Sequence, residues 1–185
     1  FVTKLKKNNK WSEKLVKKKE KEIDRIKKIY KFSFFKRLDF LPTELDKVPF
    51  KKLVTEFTKL FLLIKPEVIY IPYINDVHTD HKIVSKAATS SAKWFRSSSI
   101  KQINMYETLS ETNFNFVEKK VFQPNLFIDI SKFLEKKIKI CSCYKTEFGK
   151  HPFPRSKESI KALAILRGSQ SGYKAAESFK VVFKK

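Results

Sequence analysis

The sequence predicts an α/β protein in which helices cover a mostly parallel sheet. Short apolar segments typical of strands alternate with segments whose apolar residues recur every three or four positions, as they do in helices. The chain has 185 residues, about the length of one domain, and 42% of them are hydrophobic, which is enough for a buried core. We therefore expect a single domain over residues 1–185.

The first half of the chain alternates strands and helices. The expected elements are the end of a strand at residues 1–3, a helix over 12–30, a short strand over 32–35, a loop over 39–47, a helix over 49–64 and a strand over 68–71. Pro49 suits the first turn of a helix. The apolar run at 68–71 predicts a strand that is covered on both faces, as in a parallel sheet.

The second half continues the alternation. The expected elements are a helix over 79–95, strands over 103–106 and 126–130, a helix over 131–147, a helix over 156–176 and a last strand over 179–183. Ser131 and Ser156 are the expected N-caps of the last two helices. Gly168 and Gly172 lie four residues apart, and we interpret them as a site of close helix packing.

The charge of the chain is strongly positive. The net charge is +22, and five of the 41 basic residues are Arg. Arg is the residue that usually grips phosphates and reads bases, so its scarcity argues against specific nucleic-acid binding. The densest basic segment, residues 14–28, also contains Glu20, Glu22 and Asp24. We interpret this segment as a solvated helix face.

Two further classes of protein are excluded by composition. Two cysteines are too few for a disulfide scaffold. The longest apolar run, residues 60–64, is far shorter than the roughly 20 residues of a membrane-spanning helix. We therefore expect no membrane span.

One cluster of residues has the chemistry of an active site. His78 and His81 follow the apolar strand, and their spacing at the start of a helix lets both project to one side. Ligand sites in open parallel sheets form at the C-terminal ends of strands. Asp80 could accept a hydrogen bond from one imidazole, and Asp76 adds a further carboxylate. A polar loop followed by a capped helix is the structural alternative.

The residues around this cluster resemble a known family. Residues 71–81 resemble the second motif of the PIG-L/LmbE-like de-N-acetylases, in which a strand precedes a His-x-Asp-His loop that leads into a helix. Residues 106–108, 125–131 and 167–179 resemble later segments of the family in the same order. The resemblance covers nearly the whole chain. It implies a three-layer, Rossmann-like sandwich of the LmbE type.

The resemblance also implies a function. Members of the family are zinc-dependent hydrolases, expected to be cytoplasmic, that remove an N-acetyl group from an amino-sugar conjugate of the N-acetylglucosaminyl type. His81 maps to a zinc ligand, His78 to the group that stabilises the oxyanion or protonates the leaving amine, and Asp80 to the residue that orients His78. A zinc ion with three protein ligands keeps a position for the water that attacks the carbonyl.

Four residues are weaker candidates for binding the substrate. Asp76 follows one predicted strand, and Tyr106 ends another. Lys19 stands where the family often has an Arg, and Arg155 lies in a loop rich in proline. Lys19 can hold a charge but lacks the two-pronged geometry of Arg. The acceptor sugar and the oligomeric state are left open.

Besides Lys19, the resemblance includes a second departure, which concerns the metal site. In the family, two further zinc ligands and the general base come from a His-Pro-Asp-Asp-Glu motif, which this chain lacks, and residues 1–3 resemble the strand that follows that motif. We therefore expect that the first strand and half of the metal site precede residue 1. On this interpretation, residues 1–185 alone are inactive and bind zinc poorly.

Two alternatives concern the same residues. Cys141 and Cys143 could form a Cys₂His₂ zinc site with His78 and His81, but their spacing is shorter than is usual, and we expect ordinary thiols. The chain could also be a non-catalytic, basic α/β binding module for polyanions or a protein partner, with structural histidines.

Overall fold

The computed structural model describes residues 3–7, 11–117 and 121–185. Its helices and strands, in chain order, are α1 (Glu13–Tyr30), α2 (Phe50–Ile64), β1 (Val68–Pro72), α3 (Thr79–Ser91), β2 (Gln102–Tyr106), β3 (Leu126–Asp129), α4 (Leu134–Cys141), α5 (Lys157–Ser169) and β4 (Ala176–Lys184). Two short 3-10 helices, Leu45–Lys47 and Thr112–Phe114, lie in the connections. None of the helices in these ranges is long and apolar enough to cross a membrane.

The chain divides into two compact units. The first unit comprises Phe1–Pro42 and Asp129–Glu177 and contains α1, α4 and α5. Its buried clusters are Ile26 with Ile140 and Cys143, and Ile130 with Ala164 and Ala175. The second unit comprises Thr43–Ile128 and Ser178–Lys185. It contains α2, α3, β1, β2 and most of the remaining two strands.

The four strands form one mixed sheet in the order β1-β2-β4-β3. β1 and β2 are parallel, with Ile69 opposite Ile103, whereas β2 and β4 are antiparallel. The strand β1 is covered on one face only, which corrects the expectation that both faces are covered. Ile69 and Ile71 are buried, while Val68 and Tyr70 are 42% and 51% exposed because alternate side chains point to opposite faces.

The first helix is the one that the sequence predicts. Ser12 is its N-cap, and the Ser12 hydroxyl accepts a hydrogen bond from the Leu15 amide.

Only one residue of the strand expected at residues 1–3 is described by the structure. Phe1 and Val2 lie outside the described residues, and Thr3 forms an isolated parallel bridge with Phe40.

Residues 32–35 do not form the predicted strand. The Phe32 ring stacks on the Tyr30 and Phe35 rings, with centroids 5.1 and 6.1 Å apart. These aromatic residues, which favour strands when a neighbouring strand is available, therefore pack on one another instead.

The helices α3 and α4 end earlier than their sequence patterns predict. α3 ends at Ser91 instead of residue 95. The Ser97 hydroxyl donates a hydrogen bond to the Ser91 carbonyl at 3.0 Å. α4 ends at Cys141 instead of residue 147, and the Ser142 hydroxyl donates to the Lys139 carbonyl at 2.7 Å. Serine hydroxyls offer the backbone such local alternatives to continued helix.

The start of α4 also differs from the prediction. Ser131 is not its N-cap, because the Ser131 amide and hydroxyl both bond to the Asp129 carboxylate, at 2.8 and 2.5 Å. The helix begins three residues later, at Leu134. These two bonds lower the pKa of the Asp129 carboxyl, whose charged form they stabilise.

Two glycines, one in the last turn of α5 and one after it, shape the end of this helix. α5 ends at Ser169 instead of residue 176, and the chain then turns through Gly172, whose φ is +77°, into β4. Gly168 is a site of close packing: a Cβ there would lie 2.5 Å from the Tyr173 carbonyl oxygen and 2.9 Å from the Ala175 backbone. Gly172 lies outside the helix, and a Cβ added to it would meet nothing within 4 Å, so it is a turn residue and not a packing residue.

We predict that Gly168→Ala lowers the free energy of unfolding by about 1–3 kcal/mol, because the added methyl group meets backbone atoms that side-chain rotation cannot clear. This loss should outweigh the higher helix propensity of Ala. Urea denaturation followed by circular dichroism would measure it. Lys161→Ala on the exposed side of α5 is the control. An unchanged midpoint for Gly168→Ala would show that the Tyr173–Ala175 turn shifts freely.

Candidate active site

The segment between β1 and α3 is held against the end of β2. The Tyr73 amide donates to the Tyr106 carbonyl at 3.0 Å, and the Val77 amide donates to the Glu111 carbonyl at 3.3 Å. The Asp76 amide closes a turn on the Tyr73 carbonyl. Because β1 and β2 are parallel, their C-terminal ends lie at the same edge of the sheet. The loops that follow both strands therefore meet there.

Asp76 is the centre of this region. Its carboxylate is fully buried, and one oxygen lies 2.8 Å from Nδ1 of His81. The other oxygen accepts the Thr112 hydroxyl at 2.5 Å. A buried carboxylate requires such partners, because an unpaired one would be costly. The bond to Asp76 places the His81 proton on Nδ1 and leaves the Nε2 lone pair available to a ligand.

His78 is the N-cap of α3. Its Nδ1 accepts a hydrogen bond from the Asp80 amide at 3.1 Å, in the place where a serine or aspartate oxygen usually serves. A ring nitrogen that accepts carries no proton, so the proton of the neutral ring is on Nε2. The His78 ring also stacks on the His81 ring, with centroids 5.0 Å apart and an angle of 18° between the planes.

The Asp80 carboxylate has different partners from those expected. It accepts the Thr43 amide at 2.7 Å and the Leu45 amide at 3.3 Å, and the residue is buried. Asp80 contacts His78 through its backbone amide, while its side chain fixes the segment before α2 to the start of α3. The structure thus brings Asp76, and not Asp80, to an imidazole.

Tyr106, at the end of β2, is partly buried. Burial, and secondarily the negative charge of Asp76, raises the pKa of Tyr106 to about 12. The phenol therefore keeps its proton at neutral pH and can donate a hydrogen bond, but cannot act as a base there.

Lys19 and Arg155 lie in the first unit and share one partner. The Lys19 ammonium bonds to the Glu147 carboxylate, and the Arg155 guanidinium lies 3.2 Å from the same carboxylate and donates to the Glu147 carbonyl at 2.9 Å. Nearby, the buried Glu22 accepts the Thr146 amide and hydroxyl. Lys19 therefore fixes the loop after α4 to α1, whereas Arg155 makes a contact within that loop.

The donor atoms of these residues fit a zinc ion only in part. His81, with its Nδ1 bonded to a buried carboxylate, has the arrangement of a zinc-binding histidine. Within residues 3–7, 11–117 and 121–185, however, no three His, Cys, Asp or Glu side chains are grouped so that they could hold a metal. The described residues thus fit one ligand position and not a complete three-ligand site.

The two cysteines do not form part of a grouped metal site in those ranges. Cys143 is buried, and burial raises the pKa of the Cys141 thiol, so that its metal-binding thiolate form is disfavoured. This arrangement agrees with the expectation of ordinary thiols.

Sequence reasoning missed four contributors to these contacts. They are the Thr112 hydroxyl, the amides of Thr43 and Leu45, and the Glu147 carboxylate. A signal existed for Thr112, because it lies in the loop after β2, and the loops after neighbouring parallel strands converge.

The chain matches a known family by its sequence. The family model described as PIG-L, GlcNAc-PI de-N-acetylase, matches residues 3–92, which include the whole segment from β1 to the end of α3. The match thus contains Asp76, His78, Asp80 and His81 in their order along the chain.

Solved structures with a similar fold include N,N'-diacetylchitobiose deacetylase from Pyrococcus horikoshii, at 17% identity over 98% of this chain and 70% of that one, with a TM-score of 0.74. The hydratase GalB, which acts on 4-carboxy-2-hydroxymuconate, from Pseudomonas putida has 16% identity over 97% and 77%, with a TM-score of 0.72. Teicoplanin deacetylase Orf2, in a zinc-inhibited form, has 14% identity over 94% and 77%, with a TM-score of 0.65.

These similarities confirm the α/β fold class of the LmbE type that the sequence predicts. At such identities they concern the fold alone, and the presence of a hydratase among them illustrates that one fold carries several chemistries. The family match adds what fold similarity cannot, since it rests on the sequence of residues 3–92. On this evidence residues 3–92 are similar in sequence to the PIG-L family, and the fold of the chain is similar to that of the deacetylases named above.

Proposed function

We propose that this chain belongs to a hydrolase that removes the N-acetyl group from an amino-sugar conjugate. The family match over residues 3–92 supports the reaction class. The observation that carries the proposal is the buried Asp76 carboxylate, 2.8 Å from Nδ1 of His81, with the His78 ring stacked alongside. This arrangement gives two imidazoles with different free nitrogens and therefore different tasks. A cytoplasmic location belongs to the same proposal.

His81 is proposed as a metal ligand through Nε2. Asp76 fixes the orientation and tautomer of its ring, as carboxylates do for zinc-binding histidines. A zinc ion, when bound, would polarise the acetyl carbonyl and lower the pKa of an attacking water. Its other ligands would come from outside the described residues, because those residues group no three ligands together.

His78 is proposed to act on the reacting group through its Nε2 proton. The Asp80 amide occupies Nδ1, so Nε2 is the nitrogen that can donate a hydrogen bond. A donor fixed in place before the reaction stabilises the negative charge that develops on the acetyl oxygen. The same proton could pass to the departing amine, and the N-cap bond holds the ring in position for either task.

Tyr106, Asp76, Lys19 and Arg155 remain proposed contacts of the substrate, with unequal support. Tyr106 is a protonated hydrogen-bond donor beside Asp76. The Asp76 carboxylate is already bound to His81 and Thr112, so its effect on a substrate would be indirect. Lys19 and Arg155 would have to exchange Glu147 for the substrate.

The proposal is tested by acetate release. Purified residues 1–185, and any longer natural product of the same gene, would be incubated with zinc and a panel of N-acetylglucosaminides, with zinc per chain measured in parallel. We expect weak zinc binding and little turnover from residues 1–185, because one ligand does not make a preorganised site. Absence of acetate from every folded, zinc-loaded form would refute the deacetylase assignment.

We predict that His81→Ala removes both bound zinc and activity from an active form of the protein, whereas His78→Ala retains the zinc and loses rate by roughly 10²–10³-fold. The reason is that Nε2 of His81 is proposed to bind the metal, while Nε2 of His78 faces the reacting group. Elemental analysis and initial rates, measured on the same preparations, separate the two. Equal zinc loss in both variants would contradict the division of roles.

A paired prediction concerns the two aspartates. Asp76→Asn should weaken zinc binding by roughly 10–100-fold, because it removes the carboxylate that orients His81. Asp80→Ala should instead lower the free energy of unfolding, by about 1–3 kcal/mol, because the Thr43 and Leu45 amides lose their acceptor. Zinc titration and urea denaturation of both variants would test this. The reverse pattern would show that Asp80 is the orienting residue.

A further inference from the structure

One face of α1 carries an unbroken stripe of positive charge. Five exposed basic residues follow one another at alternating spacings of four and three positions; they are Lys14, Lys18, Lys21, Arg25 and Lys28. This spacing places them on one side of a helix, over about 21 Å of its length. The buried residues Ile23 and Ile26 lie on the side that packs into the first unit.

The acidic residues of α1 do not neutralise the stripe, because each is bound elsewhere. Glu13 bonds to Lys17 at 2.7 Å, and Asp24 lies 3.5 Å from Lys27. Glu20 accepts two hydrogen bonds from Arg37, and Glu22 accepts Thr146. The five stripe cations take part in none of the ion pairs seen among the described residues. Within residues 14–28, the five cations outside these ion pairs therefore lie together on one side of α1.

The composition of the stripe favours a lipid surface over a nucleic acid. Four of its five cations are Lys, a compact point charge that needs no fixed partner geometry, whereas nucleic-acid recognition favours the planar fork of Arg. Clusters of four to eight basic residues on one helix face are typical of binding to anionic phospholipids. The net charge of +22 adds a long-range attraction to any such surface.

We propose that the α1 stripe docks the protein peripherally onto membranes that contain anionic phospholipids. The attraction is electrostatic, since the apolar side of α1 packs within the first unit and is not available for insertion. The proposal does not depend on the deacetylase assignment, because binding to vesicles requires neither zinc nor turnover.

The experiment is co-sedimentation of the full 185-residue chain with vesicles. We expect binding to phosphatidylcholine vesicles that contain about 30 mol% phosphatidylserine, and not to vesicles of phosphatidylcholine alone. Raising the salt to about 0.5 M should release the protein, because the Debye length contracts. Binding to neutral vesicles, or no binding to anionic ones, would overturn the proposal.

Matched variants locate the surface. Lys14→Gln/Lys18→Gln/Lys21→Gln should lower the partition coefficient by roughly 100-fold, at about fivefold per lysine near the surface. The control Lys136→Gln/Lys157→Gln/Lys161→Gln removes the same charge from exposed positions on α4 and α5. Circular dichroism verifies that both variants fold, and Gln has nearly the helix propensity of Lys.

Two outcomes would contradict the proposal that the α1 stripe binds anionic membranes. An equal loss of binding in both variants would show that diffuse charge, and not α1, attracts the vesicles. Displacement of the protein from vesicles by equimolar duplex DNA or RNA would show that a nucleic acid is the preferred partner.

Discussion

The geometry of the candidate active site depends on one buried negative charge. Asp76 lies in the loop after β1 with no exposed surface, and each of its carboxylate oxygens has a partner, Nδ1 of His81 and the Thr112 hydroxyl. Burial of a carboxylate is tolerated only with such partners. The loop after β1, the start of α3 and the loop after β2 must therefore keep their positions for Asp76 to remain satisfied.

The two imidazoles differ because the backbone treats them differently. His81 has its Nδ1 against a carboxylate, whereas His78 has its Nδ1 against the Asp80 amide. The first contact makes Nδ1 a donor and the second makes it an acceptor, so two neighbouring and stacked rings carry their protons on opposite nitrogens. Residue type alone cannot distinguish these two states, which arise from the fold around each ring.

The sequence predicted the parts of the structure that local signals determine. The apolar period predicted α1, and the apolar run at 68–71 predicted β1. The position of His78 and His81 after that strand was also predictable from the sequence. Helix ends were predicted less well. α4 and α5 stop where serine hydroxyls bond to the backbone and where Gly172 allows a turn with positive φ, and apolar periodicity reports neither feature. The partner of Asp80 could not be predicted, because Thr43 and Leu45 lie more than 30 positions earlier.

The Asp80 contact has a consequence for how this segment can evolve. Its carboxylate binds backbone amides, which every residue except proline possesses, so this contact sets no preference among the other side chains at positions 43 and 45. The same contact fixes the number of residues between its two amides, and an insertion or deletion there would move one of them away. Drift in amino-acid identity is therefore compatible with this anchor, whereas a change of length or a proline is not.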